Sequence, residues 1–111
     1  MSEESPEQFQ TIRLQGRLDA SNSPALEMEI LRNIEGGTRR LLLDFSDLQF
    51  IASAGVHVAL AAAKRMKAVN GQLVLCSLSG AVADVFQVSG CGTVLDICED
   101  EEAAAAHLMA R

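Results

Sequence analysis

Ser53 is the residue whose placement most invites chemistry, set in Ile51-Ala52-Ser53-Ala54-Gly55 where the chain must turn into a helix. Two roles fit a hydroxyl there. A serine just ahead of an apolar-periodic run is an ordinary N-cap, its oxygen accepting from an otherwise unpaired backbone N–H. A hydroxyl flanked by two alanines and a glycine is also sterically open to another protein's active site. A phosphate added there would face the positive end of the helix dipole and several free N–H groups. The two roles are compatible.

Other chemistries find less support in the residue types. The turn gives half of a G-x-S-x-G nucleophile elbow, with Ile51 where the first glycine should stand. A Ser-His-Asp hydrolase would have to recruit His57, about one helical turn after Ser53, or His107, and no carboxylate is recognisable as the orienting partner. A phosphate-binding loop ending in Gly-Lys-Ser/Thr does not occur. Asp44 could suggest a receiver-type phosphoacceptor, but the acidic pair and lysine that would hold magnesium beside it are not visible. Asp44 is expected to turn or cap the connection after the strand, and Asp19 reads as turn chemistry. No catalytic role and no cofactor is expected.

The elements that position Ser53 can be read on either side of it. Leu41, Leu42, Leu43 and Phe45 form a continuous apolar run, the pattern of a strand covered on both faces. From Val56 the period changes, because Val56, Ala59, Leu60, Ala63 and Met66 share one face of a 3.6-residue helix. Lys64, Arg65 and Lys67, followed by Asn70-Gly71, supply the helix stop. Upstream, residues from Phe9 to Gly16 alternate with Ile12 and Leu14 on the apolar face, a half-buried strand suited to a sheet edge. Asp19 to Pro24 carries helix-start residues, and a helix follows to Glu35 before Gly36-Gly37. Leu73 to Leu78 reads as a buried strand, Val82, Val85 and Phe86 as a shorter helix, Thr93 to Cys98 as a last strand, and residues 103–110 as a final helix behind an acidic run. Strands alternating with helices predict a single-domain α/β fold, a mostly parallel central sheet with right-handed crossovers and about four helices.

Composition bounds the function. The 111 residues suit one domain, here 9–111, with residues 1–8 read as a flexible tail. Nine Lys and Arg against fifteen Asp and Glu give a formal net charge of −6, which disfavours nucleic acid and acidic membranes. No apolar stretch approaches a membrane span, and the acidic start is no signal peptide, so a cytoplasmic location without direct membrane insertion is expected. Cys76, Cys91 and Cys98 lie in apolar surroundings without CxxC spacing and read as reduced core cysteines.

Taken together, Gly16-Arg17-Leu18-Asp19, Leu42-Leu43-Asp44-Phe45-Ser46-Asp47-Leu48, Phe50-Ile51-x-Ser53-x-Gly55, Leu73-Val74-Leu75 and Val85 to Gly90 resemble the STAS domain family, in particular its stand-alone bacterial anti-sigma factor antagonists. The resemblance runs from about residue 9 to 108. It implies a non-enzymatic partner-switching regulator. The unphosphorylated antagonist would bind an anti-sigma factor that is a serine kinase of the GHKL type, freeing the sigma factor. That kinase would phosphorylate the serine matching Ser53, and a PP2C-type phosphatase would reverse it. The implied partner-binding surface comprises Asp19, Ala52, Ser53, Ala54, Gly55, Val56 and His57. The family motif usually reads Asp-Ser-Ser-Gly or Asp-Ser-Thr-Gly, so Ala52-Ser53-Ala54-Gly55 leaves Ser53 as the motif's single hydroxyl. The competing expectation is a STAS interaction module without a phosphorylation cycle, as in a stressosome-like scaffold or the cytosolic partner of a lipid-transport ATPase, and small-molecule binding is a third. An exposed apolar patch near Val56 or Val58 would offer a homodimer contact.

Overall fold

The computed structural model describes residues 9–90 and 94–109. The tail expected over 1–8, Cys91, Thr93 and the last two residues lie outside them. The element order is β1 (Gln10–Leu18), α1 (Ser23–Glu35), β2 (Arg40–Ile51), α2 (Ser53–Ala68), β3 (Gln72–Cys76), α3 (Gly80–Val88), β4 (Asp96–Cys98) and α4 (Glu101–Met109). The four strands form one sheet in the order β1-β2-β3-β4, every neighbouring pair parallel. Single-domain α/β, with four parallel strands and four helices among the described residues, is the architecture the alternation of strand and helix patterns predicts.

Because the strands are laid down in sequence order, crossovers of one hand must all pass over the same face. The larger hydrophobic cluster agrees, joining Leu26 and Ile30 of α1, Val56, Ala59, Ala62 and Met66 of α2, and Val82 and Phe86 of α3 to Leu41, Leu43 and Phe45 of β2. Phe86 meets Phe45 edge to face, ring centroids 5.7 Å apart, which pins α3 to the central strand. Among the described residues α4 covers the opposite face, where Ala104 and Leu108 pack on Leu42, Val74 and Cys76 with Phe9 beside them. Each fully buried Leu or Met contributes about 1.5–3 kcal/mol relative to exposure, so the continuous run Leu41–Leu43, buried on both faces, makes β2 a main source of the fold's stability.

Two strands differ from the periodicity. β2 continues through Ser46 to Ile51, the stretch expected to be a polar connection, because it keeps pairing with β1 after β3 has ended. Register shifts between Arg13 and Gln15 and between Gly16 and Arg17 break the strict alternation there. Asp44 is therefore in mid-strand and 2% exposed, not at a turn. Its carboxylate accepts from the Ser46 amide at 3.0 Å and lies 3.8 Å from Arg13 Nη1, while the Cys76 thiol points at it from 3.8 Å. Arg13 also reaches Glu101 Oε2 at 3.4 Å, tying the start of α4 to the sheet.

Candidate functional site

In a parallel sheet all strands end on one edge, so β1 and β2 deliver Asp19 and Ser53 side by side although 34 residues separate them. Leu18 pairs with Ile51, and the Ala52 amide donates to the Leu18 carbonyl at 2.8 Å. The Asp19 turn is then held by its own side chains. Asp19 Oδ1 accepts from the Ser21 amide at 3.0 Å and its hydroxyl at 2.6 Å, and Asn22 Oδ1 accepts from the Asp19 amide at 2.8 Å. Asn22 Nδ2 donates back to the Arg17 carbonyl at 2.8 Å. The Ser21 hydroxyl, then its amide, hold the Asp19 carboxyl below the usual range, and the Arg17 guanidinium at 3.7 Å acts in the same direction.

α2 begins earlier than its apolar stripe. Ala52 occupies the N-cap position in extended conformation and offers no side-chain cap, so Ser53 is the first helical residue and not the cap expected for it. The first turn of α2 carries no acidic residue, leaving the positive end of the helix uncompensated. Ser53 is exposed, and among the described residues its hydroxyl makes no hydrogen bond.

Gly55 explains how the helix start comes so close to the strands. A Cβ built there would lie 2.7 Å from Leu18 Cδ2, 2.8 Å from Leu18 Cγ and 2.8 Å from Ile51 Cγ1. The glycine is thus a packing position that seats α2 on the ends of β1 and β2 and fixes the height at which Ser53 emerges.

Of the seven residues expected on a partner surface, Ser53 and His57 are exposed, Asp19, Ala52 and Ala54 are half-buried, and Gly55 and Val56 are buried. Val56 is 4% exposed and Val58 8%, so the apolar patch expected of them faces the core and supplies no homodimer contact. Asp44, enclosed between β1, β3 and α4, is likewise no exposed phosphoacceptor. His57 forms no hydrogen bond or ion pair among the described residues, including with Ser53. Beside this edge stands a feature the sequence reading left out. Phe50 is 39% exposed, with the Arg17 guanidinium 4.4 Å from its ring centroid. The outward parity of Arg13, Gln15 and Arg17 was the available signal for Arg17, whereas Phe50 was hidden by being read as a connection.

Comparison with known proteins bears on the family and the fold. The STAS domain model matches residues 3–104. BtrV of Bordetella bronchiseptica, a candidate anti-sigma factor antagonist, is 41% identical over 93 residues, covering 84% of this chain and 80% of its own. The structure of the anti-sigma factor antagonist SpoIIAA in its unphosphorylated form superposes with a TM-score of 0.69 at 26% identity, covering 87% of this chain and 84% of that one. The phosphorylated form of Bacillus SpoIIAA gives a TM-score of 0.67 at 30% identity, covering 87% and 88%. The family pattern spans nearly the whole chain and the same fold carries it, so the chain belongs to the STAS domain family.

Proposed function

We propose that this chain is an anti-sigma factor antagonist that works by partner switching, with Ser53 as its phosphoacceptor. Unphosphorylated, it binds an anti-sigma factor that is also a GHKL-type serine kinase and so frees the sigma factor. Phosphate on Ser53 breaks that complex, and a PP2C-type phosphatase restores binding. Family membership and the antagonists among its relatives support the class of function. The observation that carries the residue assignment is the exposed, unbonded Ser53 hydroxyl at the first position of α2, with Ala52 and Ala54 on either side.

Phosphoserine adds about −1.5 to −2 charge and three strong acceptors. Here it would stand on the uncapped positive end of α2, which accepts an anion without rearrangement, and next to the already ionised Asp19. The helix therefore stays folded while the surface gains bulk and negative potential. A partner that packs closely on Ala52 and Ala54 loses that contact, and one with acidic groups opposite Asp19 is repelled. Each ~1.4 kcal/mol of such loss weakens binding tenfold.

Two measurements test this reading. Phosphopeptide mass spectrometry on the protein isolated from its own host, with and without stress, is expected to find stress-dependent phosphate on Ser53. Absence under every condition, with the peptide well covered, moves the assignment to an interaction module without a cycle. With the cognate kinase in hand, Ser53→Asp is expected to bind at least about tenfold more weakly than Ser53→Ala at unchanged melting temperature. Equal affinity would remove the switch from Ser53.

A further inference from the structure

Two of the three cysteines meet across the sheet. Cys76 ends β3 and Cys98 ends β4, and the two are register partners in a parallel pair. Register partners on neighbouring parallel strands have Cα atoms about 4.8 Å apart with side chains on the same face, inside the roughly 4.4–6.8 Å that a disulfide spans. Both thiols are free, and both pack in the smaller cluster beneath α4, with Ala104 and Leu108 over them. Cys76 is fully buried, whereas Cys98 is half-buried at the seam with solvent. Adjacent cysteines sharing a face, one shielded and one accessible, match the arrangement of an attacking and a resolving thiol.

We propose that Cys76 and Cys98 form a reversible thiol pair that a hydroperoxide oxidises to a disulfide between β3 and β4. In the first step the Cys98 sulfur attacks the peroxide O–O bond, giving a sulfenic acid and releasing water, or an alcohol from an organic hydroperoxide. In the second, the Cys76 sulfur attacks the Cys98 sulfur, the S–O bond breaks and a second water leaves. Overall, two thiols and one hydroperoxide give one disulfide and two molecules of water or water and alcohol. A dithiol reductant reverses it.

The surroundings set the pace of this chemistry. Asp44, whose Oδ1 is 3.8 Å from the Cys76 sulfur, is placed to take the thiol proton as Cys76 attacks, and Arg13 keeps that carboxylate in position. Burial raises the Cys76 thiol above its ordinary range, with the Asp44 and Glu101 charges adding to it and the Ser77 hydroxyl opposing it. Burial also raises Cys98, followed by Asp96 and Asp100. Thiolate is therefore scarce at neutral pH, and the pair responds to sustained peroxide, not to brief exposure. Access for the resolving step comes from β4, whose three residues and single neighbour make it the least supported strand.

The test uses the full chain treated with hydrogen peroxide, quenched with N-ethylmaleimide, and mapped by non-reducing peptide mass spectrometry. The expected product is an intramolecular peptide linking Cys76 to Cys98, lighter by two hydrogen atoms and restored by dithiothreitol. Labelling of Cys76 after denaturation is expected to fall in step with the Cys76–Cys98 peptide as it accumulates. Hydrogen exchange over residues 96–109 is expected to slow several-fold in the oxidised protein, because the bond closes β4 onto β3. A Cys91→Ser chain should give the same link, and Cys98→Ser should leave Cys76 fully labelled. The native chain's peptide map decides the matter even if a variant fails to fold. Cys98 oxidised while Cys76 stays free, links only through Cys91, or links only between molecules would each overturn the proposal.

Discussion

Replacing Gly55 by alanine tests the claim that Ser53 is presented by close packing and not by loop flexibility. The new Cβ would begin 2.7 Å from Leu18 Cδ2, about 0.7 Å short of the 3.4 Å where ordinary contact starts, and 2.8 Å from Leu18 Cγ and Ile51 Cγ1. Neither neighbour can swing away, since Leu18 is 5% and Ile51 2% exposed. Alanine in place of a helical glycine would by itself stabilise by about 0.8–1 kcal/mol. Overpacking a tight core costs about 1–3 kcal/mol. With two pinned neighbours the overpacking cost falls in the upper half of that range, about 2–3 kcal/mol, so the second effect wins and the expected net loss is about 1–2 kcal/mol. For a domain of this size that lowers the melting temperature by about 4–15 °C, readable by circular dichroism or calorimetry. A melting temperature at or above the parent's would refute the reasoning, because it would mean that α2 can lift without cost and that Gly55 does not set its height.

Two further outcomes follow from other parts of the molecule. Leu108 is fully buried and holds α4 on the second face, so Leu108→Ala is expected to lose about 2–5 kcal/mol in denaturant unfolding and to speed hydrogen exchange in α4 first. The Asp19 carboxyl is depressed by the Ser21 hydroxyl and amide, so its contribution is complete above the ordinary carboxylate range near pH 4 and is lost as pH falls through the lower folded value. Asp19→Asn is therefore expected to lower stability at pH 7 and to flatten the profile below about pH 4.5, so that variant and parent converge in acid. An unchanged acid limb would mean that the Asp19 bonds do not persist in solution.

The sequence made visible whatever depends on local period or turn chemistry. Leu41–Leu43 stood out as a covered strand because both parities are apolar, Ile12 and Leu14 as one face of β1, and Asn70-Gly71 as a helix stop, where Asn70 indeed takes φ +61°. Features decided by a partner far along the chain were not visible. Asp44 read as a turn residue because a buried carboxylate needs compensation, and that compensation comes from Arg13 on another strand. The far half of β2 read as connection because its bulged pairing with β1 leaves Ser46, Asp47, Gln49 and Phe50 exposed. Val58 lies off the stripe of α2 yet is buried, since α2 is flanked by α1 as well as lying over the sheet. A wider buried arc than one stripe cannot be read from the helix's own sequence.

Under the proposed switch, the structural and signalling duties within Ala52-Ser53-Ala54-Gly55 would fall on different residues, and that separation would make the switch physically workable. Gly55 is committed to the core and cannot vary without moving the helix, and the Ala52 amide, whatever its side chain, ties the strand end to Leu18. Ser53 takes no part in either contact, and its hydroxyl stabilises nothing that a modification would have to break. Charge added there changes what the surface presents while leaving the packing beneath it intact. The uncapped first turn strengthens the argument, since a site that already lacks an anion at its positive end accepts one at little cost to the fold. In the proposed switch the energetic effect of such a charge would be felt by a partner bound at the edge formed by Asp19, Ser53 and His57, and not by the domain itself.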